Sequence, residues 1–202
     1  MLCLLAFISF AQQPEPEFDG KNWVAPYSLA MPAGWDIERF QIPIIFALQI
    51  PYSGIEDIRF MPGWANVKSD EYWTYAFLWY LNDQPEMNAQ IIEDNLEFYY
   101  TGLIESNTEG RKIPADKMFP VRASIKKVNT GKGDLKTFGG TVYMLDYMLQ
   151  LPITLNAIIH IKPSCSKENK TFVFYEISPK PLTDPVWQSL NQLWTTFDCN
   201  KK

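Results

Sequence analysis

Apolar and polar positions alternate along much of this chain, and a period of two predicts strands rather than helices. Trp35–Ile42 alternates in this way, and Pro43 and Pro51 then break the pattern, so Ile42–Tyr52 reads as an edge or irregular segment. Ile55–Met61 is a short strand stopped by Pro62-Gly63. Glu71–Leu81 is largely apolar on both faces: Trp73, Tyr75, Phe77, Trp79 and Leu81 on one, Tyr72, Thr74, Ala76, Leu78 and Tyr80 on the other. A strand of that kind is covered on both sides and belongs in the middle of a sheet, with a helix as the competing reading by length alone.

Two segments carry the helical period. Ala89–Ile104 places Ile92, Leu96, Tyr99 and Leu103 on one face and Glu93, Asp94 and Glu97 away from it; Asn88 suits the N-cap, and Met87 with Ile92 suits a hydrophobic staple. Asp184–Phe197 has an apolar stripe of Trp187, Leu190, Leu193, Trp194 and Phe197, with Thr183 as the expected N-cap. Between the helices lie four strand-like runs: Phe119–Asn129, Thr137–Gln150, Ile153–Lys162 and Thr171–Ser178. Gly139-Gly140 suggests a bulge or bend in the second of them, and Gly131-Lys-Gly-Asp134 is a turn. Turns rather than helices join these runs, so antiparallel pairing is expected. The expected fold class is α+β: a mainly antiparallel sheet of about six to seven strands with two main helices packed on it, layered as an α/β/α sandwich.

The N-terminus changes the picture of compartment. Residues 1–11 are uncharged and apolar, with Ser9 and Ala11 where a signal peptidase needs small residues; they read as an export signal, with a buried N-terminal strand as the alternative. Residues 12–22 (QQPEPEFDGKN) read as a flexible leader, and 23–202 as a single α+β domain. The expected location is periplasmic or secreted. Removing the signal removes Cys3 and leaves Cys165 and Cys199, an even count in an oxidising compartment. A bridge between them closes a loop of about 35 residues and stabilises by roughly 3–4 kcal/mol; two buried thiols are the alternative. No apolar run reaches the length of a membrane span.

Composition removes several chemistries. A net charge of −5 and a pI near 5.0, with no basic block, argue against nucleic acid as a partner. The single histidine, His160, lies on the more polar face of its strand and reads as solvent-facing or structural, and no nucleophile elbow is present. The usual zinc sets and the calcium-loop and phosphate-loop patterns are missing, so no metal, cofactor or catalytic residue is assigned. Carboxylates remain. Glu56 and Asp57, being adjacent on a strand, face opposite ways, whereas Glu38, Glu56, Glu71, Asp146 and Glu176 could meet only through the fold. Asp146 interrupts an apolar run and needs a partner, for which Arg59 and Arg122 are the candidates.

With 7 Trp, 10 Tyr and 13 Phe the chain is rich in rings. They concentrate around a Pro-Gly turn as Trp64, Tyr72, Trp73 and Tyr75, beside Arg59. Those five residues are the candidate ligand- or partner-binding set; the competing reading is that the rings fill space between sheet and helix.

Pro32-Ala-Gly-Trp35, Gly54–Trp64, Glu71-Tyr-Trp-Thr-Tyr75 and Tyr99-Tyr-Thr-Gly-Leu103 resemble an uncharacterised family of exported bacterial proteins over the first half of the chain. At fold level the Pro-x-Gly-Trp opening strand, the antiparallel run and the closing Trp187–Phe197 helix resemble the PsbP-like α/β/α sandwiches. That resemblance implies an accessory or assembly role. Export, scarce catalytic residues and the ring-rich segment lead to one expectation: a non-catalytic binding or assembly module of the cell envelope, with an envelope protein or a small ligand as partner. Its alternatives are a glycan or lipid carrier with an aromatic-lined pocket and a carboxylate-based hydrolase.

Overall fold

The computed structural model describes residues 18–163, 165 and 169–200. The expected export signal, residues 1–11, and residues 12–17 lie outside the described residues. Among the described residues seven strands form one sheet: β1 (Asp36–Ile42), β2 (Gly54–Phe60), β3 (Tyr75–Leu81), β4 (Arg122–Lys127), β5 (Lys136–Asp146), β6 (Leu151–Pro163) and β7 (Thr171–Ser178). The spatial order is β1-β2-β3-β7-β6-β5-β4, with every neighbour antiparallel. The sheet is therefore two meanders joined at β3 and β7. Helix α1 (Ala89–Thr108) carries the chain from the end of β3 to the far edge, and α2 (Val186–Thr195) follows β7. This is the α+β architecture expected from the sequence.

The joint strands are covered on both faces, as the two-sided apolar pattern requires. Every residue of β3 and of β7 is buried. Tyr75, Phe77, Trp79 and Leu81 face α1, whose Ile92, Leu96, Tyr99, Tyr100 and Ile104 share their core. Ala76, Leu78 and Tyr80 face the other way, with Trp187, Leu190, Leu193 and Trp194 of α2 and with Ala25 and Tyr27. A stack of rings ties sheet to helix on the α1 face: Phe77 lies 4.3 Å from Tyr175 and 5.3 Å from Tyr99, nearly parallel to both.

Several expectations need correction. The third strand begins at Tyr75, because Trp73 adopts a left-handed conformation (φ 55°) that an extended strand cannot contain, and residues 71–74 form a turn. Gly139-Gly140 makes no bulge: the β5 register runs unbroken against both neighbours. The requirement is steric instead, since a Cβ on Gly140 would collide with the Ser124 carbonyl of β4. Asn88 does cap α1, its side chain accepting from Ile91 N at 3.0 Å. Thr183 does not cap α2; the helix starts after Pro185, and Asp184 Oδ1 accepts from Val186 N at 3.0 Å.

The Cys165–Cys199 bridge is present, with Cα atoms 5.7 Å apart. It fastens the chain after β6 to the chain after α2. Next to it, Ser28 and Asp198 exchange backbone hydrogen bonds of 2.7 and 3.0 Å, so the N-terminal segment is tied to the tail.

The glutamates expected to face solvent on α1 do something else. Glu97 Oε1 accepts from Ala123 N at 3.0 Å, and Glu93 Oε1 accepts from Ile125 N at 2.6 Å. Four residues of helix rise about 6.0 Å and two residues of strand about 6.7 Å, so a glutamate pair one turn apart matches alternate amides of an edge strand. Those amides would otherwise offer a pairing template to another chain. Replacing both glutamates with alanine is expected to lower unfolding free energy by about 2 kcal/mol in denaturant titrations and to produce dimers or larger species in sedimentation. The Glu93→Gln, Glu97→Gln variant keeps its acceptors and stays monodisperse.

Candidate functional site

The residues between β2 and β3 fold into consecutive turns. Trp64 N donates to Met61 O at 3.0 Å, Asn66 N to Gly63 O at 2.9 Å, and Ser69 N to Asn66 O at 2.8 Å. Glu71 closes the unit by accepting from Gly63 N at 2.7 Å, and Trp73 N donates to Trp64 O at 2.8 Å. The left-handed Trp73 is held within this frame. A bulky residue at positive φ costs on the order of 1 kcal/mol and persists only where its surroundings over-determine it. Here it turns the Trp73 indole beneath Trp64, with ring planes 82° apart.

A half-open cavity of about 120 Å³ lies beside these two rings, on the α1 face of the sheet. Trp73, Tyr75, Tyr99 and Tyr147 are buried in its walls. Trp64, Phe46 and Leu103 are half-buried, and Glu38 and Phe40 of β1 are exposed at its mouth. Phe60 stacks on Trp64 at 4.4 Å. Phe46 reaches the cavity because Gly102 of α1 has no Cβ: one there would strike the Phe46 carbonyl. A wider cleft of about 610 Å³ opens at one end of the sheet, but it is more open and lined largely by prolines and polar groups.

The polar groups near the cavity are mostly spoken for. Tyr75 Oη and Tyr100 Oη share a 2.5 Å hydrogen bond, and burial holds both phenols well above their ordinary pKa. Behind Tyr99, the buried Glu56 accepts from Trp79 Nε1 at 3.1 Å, while its Oε2 has no hydrogen-bond partner among the described residues. Burial pushes the Glu56 carboxyl up to about 7, outweighing the hydrogen bonds that favour its charge. Glu38 makes no hydrogen bond or ion pair among the described residues; partial burial, and then neighbouring Asp36, raise its pKa.

The five residues singled out from the sequence do not form one site. Trp64, Trp73 and Tyr75 meet at the cavity. Tyr72 is turned aside, its hydroxyl donating to Asp146 Oδ2 at 2.6 Å. Asp146 also accepts from Met148 N and Leu149 N, so its partners are these groups and not Arg59 or Arg122. Arg59 lies on the opposite face of the sheet, because it alternates with Ile58 and Phe60. There it is buried and bonded to Asp57, to Ile58 O at 3.0 Å, to Ala30 O at 3.1 Å and to Leu29 O at 3.4 Å. These contacts use all its donors.

His160 is buried on that face as well, not solvent-facing. Nδ1 sits 2.7 Å from Asp134 Oδ2 and Nε2 3.3 Å from Glu176 Oε1. In a hydrolase triad the second nitrogen meets a hydroxyl; here it meets another carboxylate, and the group is an ion triad. Trp194 Nε1 and Thr137 Oγ1 complete the shell of Asp134 at 2.8 and 2.7 Å. Among the described residues no cluster of three or more His, Cys, Asp or Glu side chains could hold a metal ion.

A scan against protein-family models matches no family, and a search of characterised proteins finds no match.

Two pH effects follow. Glu56 titrates higher in the fold than its ordinary 4.5, so its ionisation costs nothing below that pH, costs more through 7, and costs most above. Glu56→Gln is expected to be more stable than the parent by up to about 3 kcal/mol at pH 8, with no gain at pH 4, in denaturant unfolding. For His160, burial disfavours the imidazolium, but Glu176 and Asp134 outweigh it and raise the pKa above 6.5. Its contribution is complete below 6.5 and is lost as pH rises through the higher folded value. His160→Gln is expected to cost about 3 kcal/mol at pH 6 and distinctly less at pH 9.

Proposed function

We propose that the chain is an exported, non-catalytic binding module of the cell envelope, and that its site is the cavity beside Trp64. The observation that carries this reading is a half-open, ring-walled space of about 120 Å³ with the exposed Phe40 and the half-buried Trp64 in its lining. A ring-lined space of this size can seat a small apolar group: an engineered apolar cavity of about 150 Å³ takes up benzene. The space suits one compact ring or branched group. Burial of Trp73, Tyr75 and Trp79 favours a small ligand over the broad envelope-protein contact, which needs exposed rings. Export is supported by the Cys165–Cys199 bridge, since such bonds persist in oxidising compartments. No described helix is long and apolar enough to cross a membrane. A PsbP-like relationship agrees with a helix on each face of the sheet.

The test is calorimetric titration with neohexanol, an uncharged tert-butyl group on an ethanol arm. Binding in roughly the millimolar range or tighter is expected for a ligand of that size. Trp64→Ala and the cavity-filling Leu103→Phe should each weaken it about tenfold with unchanged circular dichroism. Absence of heat at any attainable concentration, with the parent protein folded, refutes a ligand cavity here.

A further inference from the structure

We propose that the Trp64 cavity takes a methylated ammonium group, the cationic head of a choline- or betaine-like small molecule. The inference rests on the cavity being a ligand site and adds the charge and chemistry of its occupant. Trp64, Trp73, Tyr75 and Tyr99 line one space, and among the described residues no cation lies over any of them. Aromatic faces carry negative potential and attract a cation most strongly where water is excluded. Tyr147 differs, since Arg111 already sits 4.9 Å from its ring centroid.

Among the described residues the only charged side chain lining the cavity is Glu38, and that carboxylate has no partner among them. It stands at the mouth, where it can meet a positive head group whose bulk lies against the rings. The walls also say which cation fits. A primary ammonium needs three hydrogen-bond acceptors. Tyr75 is engaged with Tyr100, so the interior has few acceptors to give. A trimethylammonium group has no N–H to satisfy and pays no such penalty. The chain's net charge of −5 draws cations towards it in general.

Choline and neohexanol have the same shape and differ only in the charged nitrogen. Titration of the whole protein with each is expected to show choline binding about tenfold or more tightly than neohexanol, with ethanolamine weaker than choline. Glu38→Gln should remove most of that preference. Equal affinities for choline and neohexanol overturn the cationic assignment while leaving the cavity as a ligand site. Failure of both to bind overturns the ligand site itself. Co-sedimentation with phosphatidylcholine vesicles separates the sources of the same group. Choline binding without vesicle capture supports a free small molecule, and vesicle capture without choline binding overturns it.

Discussion

The pairing of β3 with β7 is the constraint on which the rest of the molecule depends. It joins two meanders that are far apart in sequence, and it places two strands with apolar side chains on both faces at the centre of the sheet. Neither face of that pair can be left in water. One is closed by α1, which also provides the crossover that brings the second meander to the right edge. The other needs α2, and α2 is only ten residues long. The remainder of that face is covered by irregular chain from Trp23 to Leu29, which has few backbone partners of its own.

That irregular stretch is held by side chains. Asp57 is fully buried and receives Tyr27 Oη at 3.0 Å, Arg39 Nε at 3.1 Å and the Arg59 guanidinium. Arg59 in turn donates to the carbonyls of Leu29 and Ala30. A buried carboxylate without such company would be very costly, so the cluster is a requirement of the layer and not an ornament on it. On the same face the His160 triad performs a similar service for the turn at Asp134 and for α2, through the Trp194 indole.

Period and parity made much of this fold legible in the sequence. Alternation on both faces marked β3 as central, helical spacing marked the buried stripes of α1 and α2, and the even cysteine count left if residues 1–11 are an export signal pointed to the bridge. What escaped was the work of polar side chains between elements. A helical wheel places Glu93 and Glu97 towards water, because it contains no information about an edge strand beside the helix. Asp134, His160 and Glu176 come from three segments, and no spacing rule connects them. The cavity has the same difficulty, since Glu38 of β1, Tyr99 of α1 and the turn residues Trp64 and Tyr147 come from four separate segments. Arg59 is the exception: its alternation with Ile58 and Phe60 already set it on the other face from those two side chains, and only proximity along the chain grouped it with Trp64.

The strand-like exchange between Ser28 and Asp198 has a practical corollary. Both lie on the α2 side of the sheet, whereas the ring-walled cavity opens on the α1 side. A label, bead or surface linkage attached near either of these positions therefore presents the cavity outward, with the full thickness of the sheet between the mounting point and the mouth.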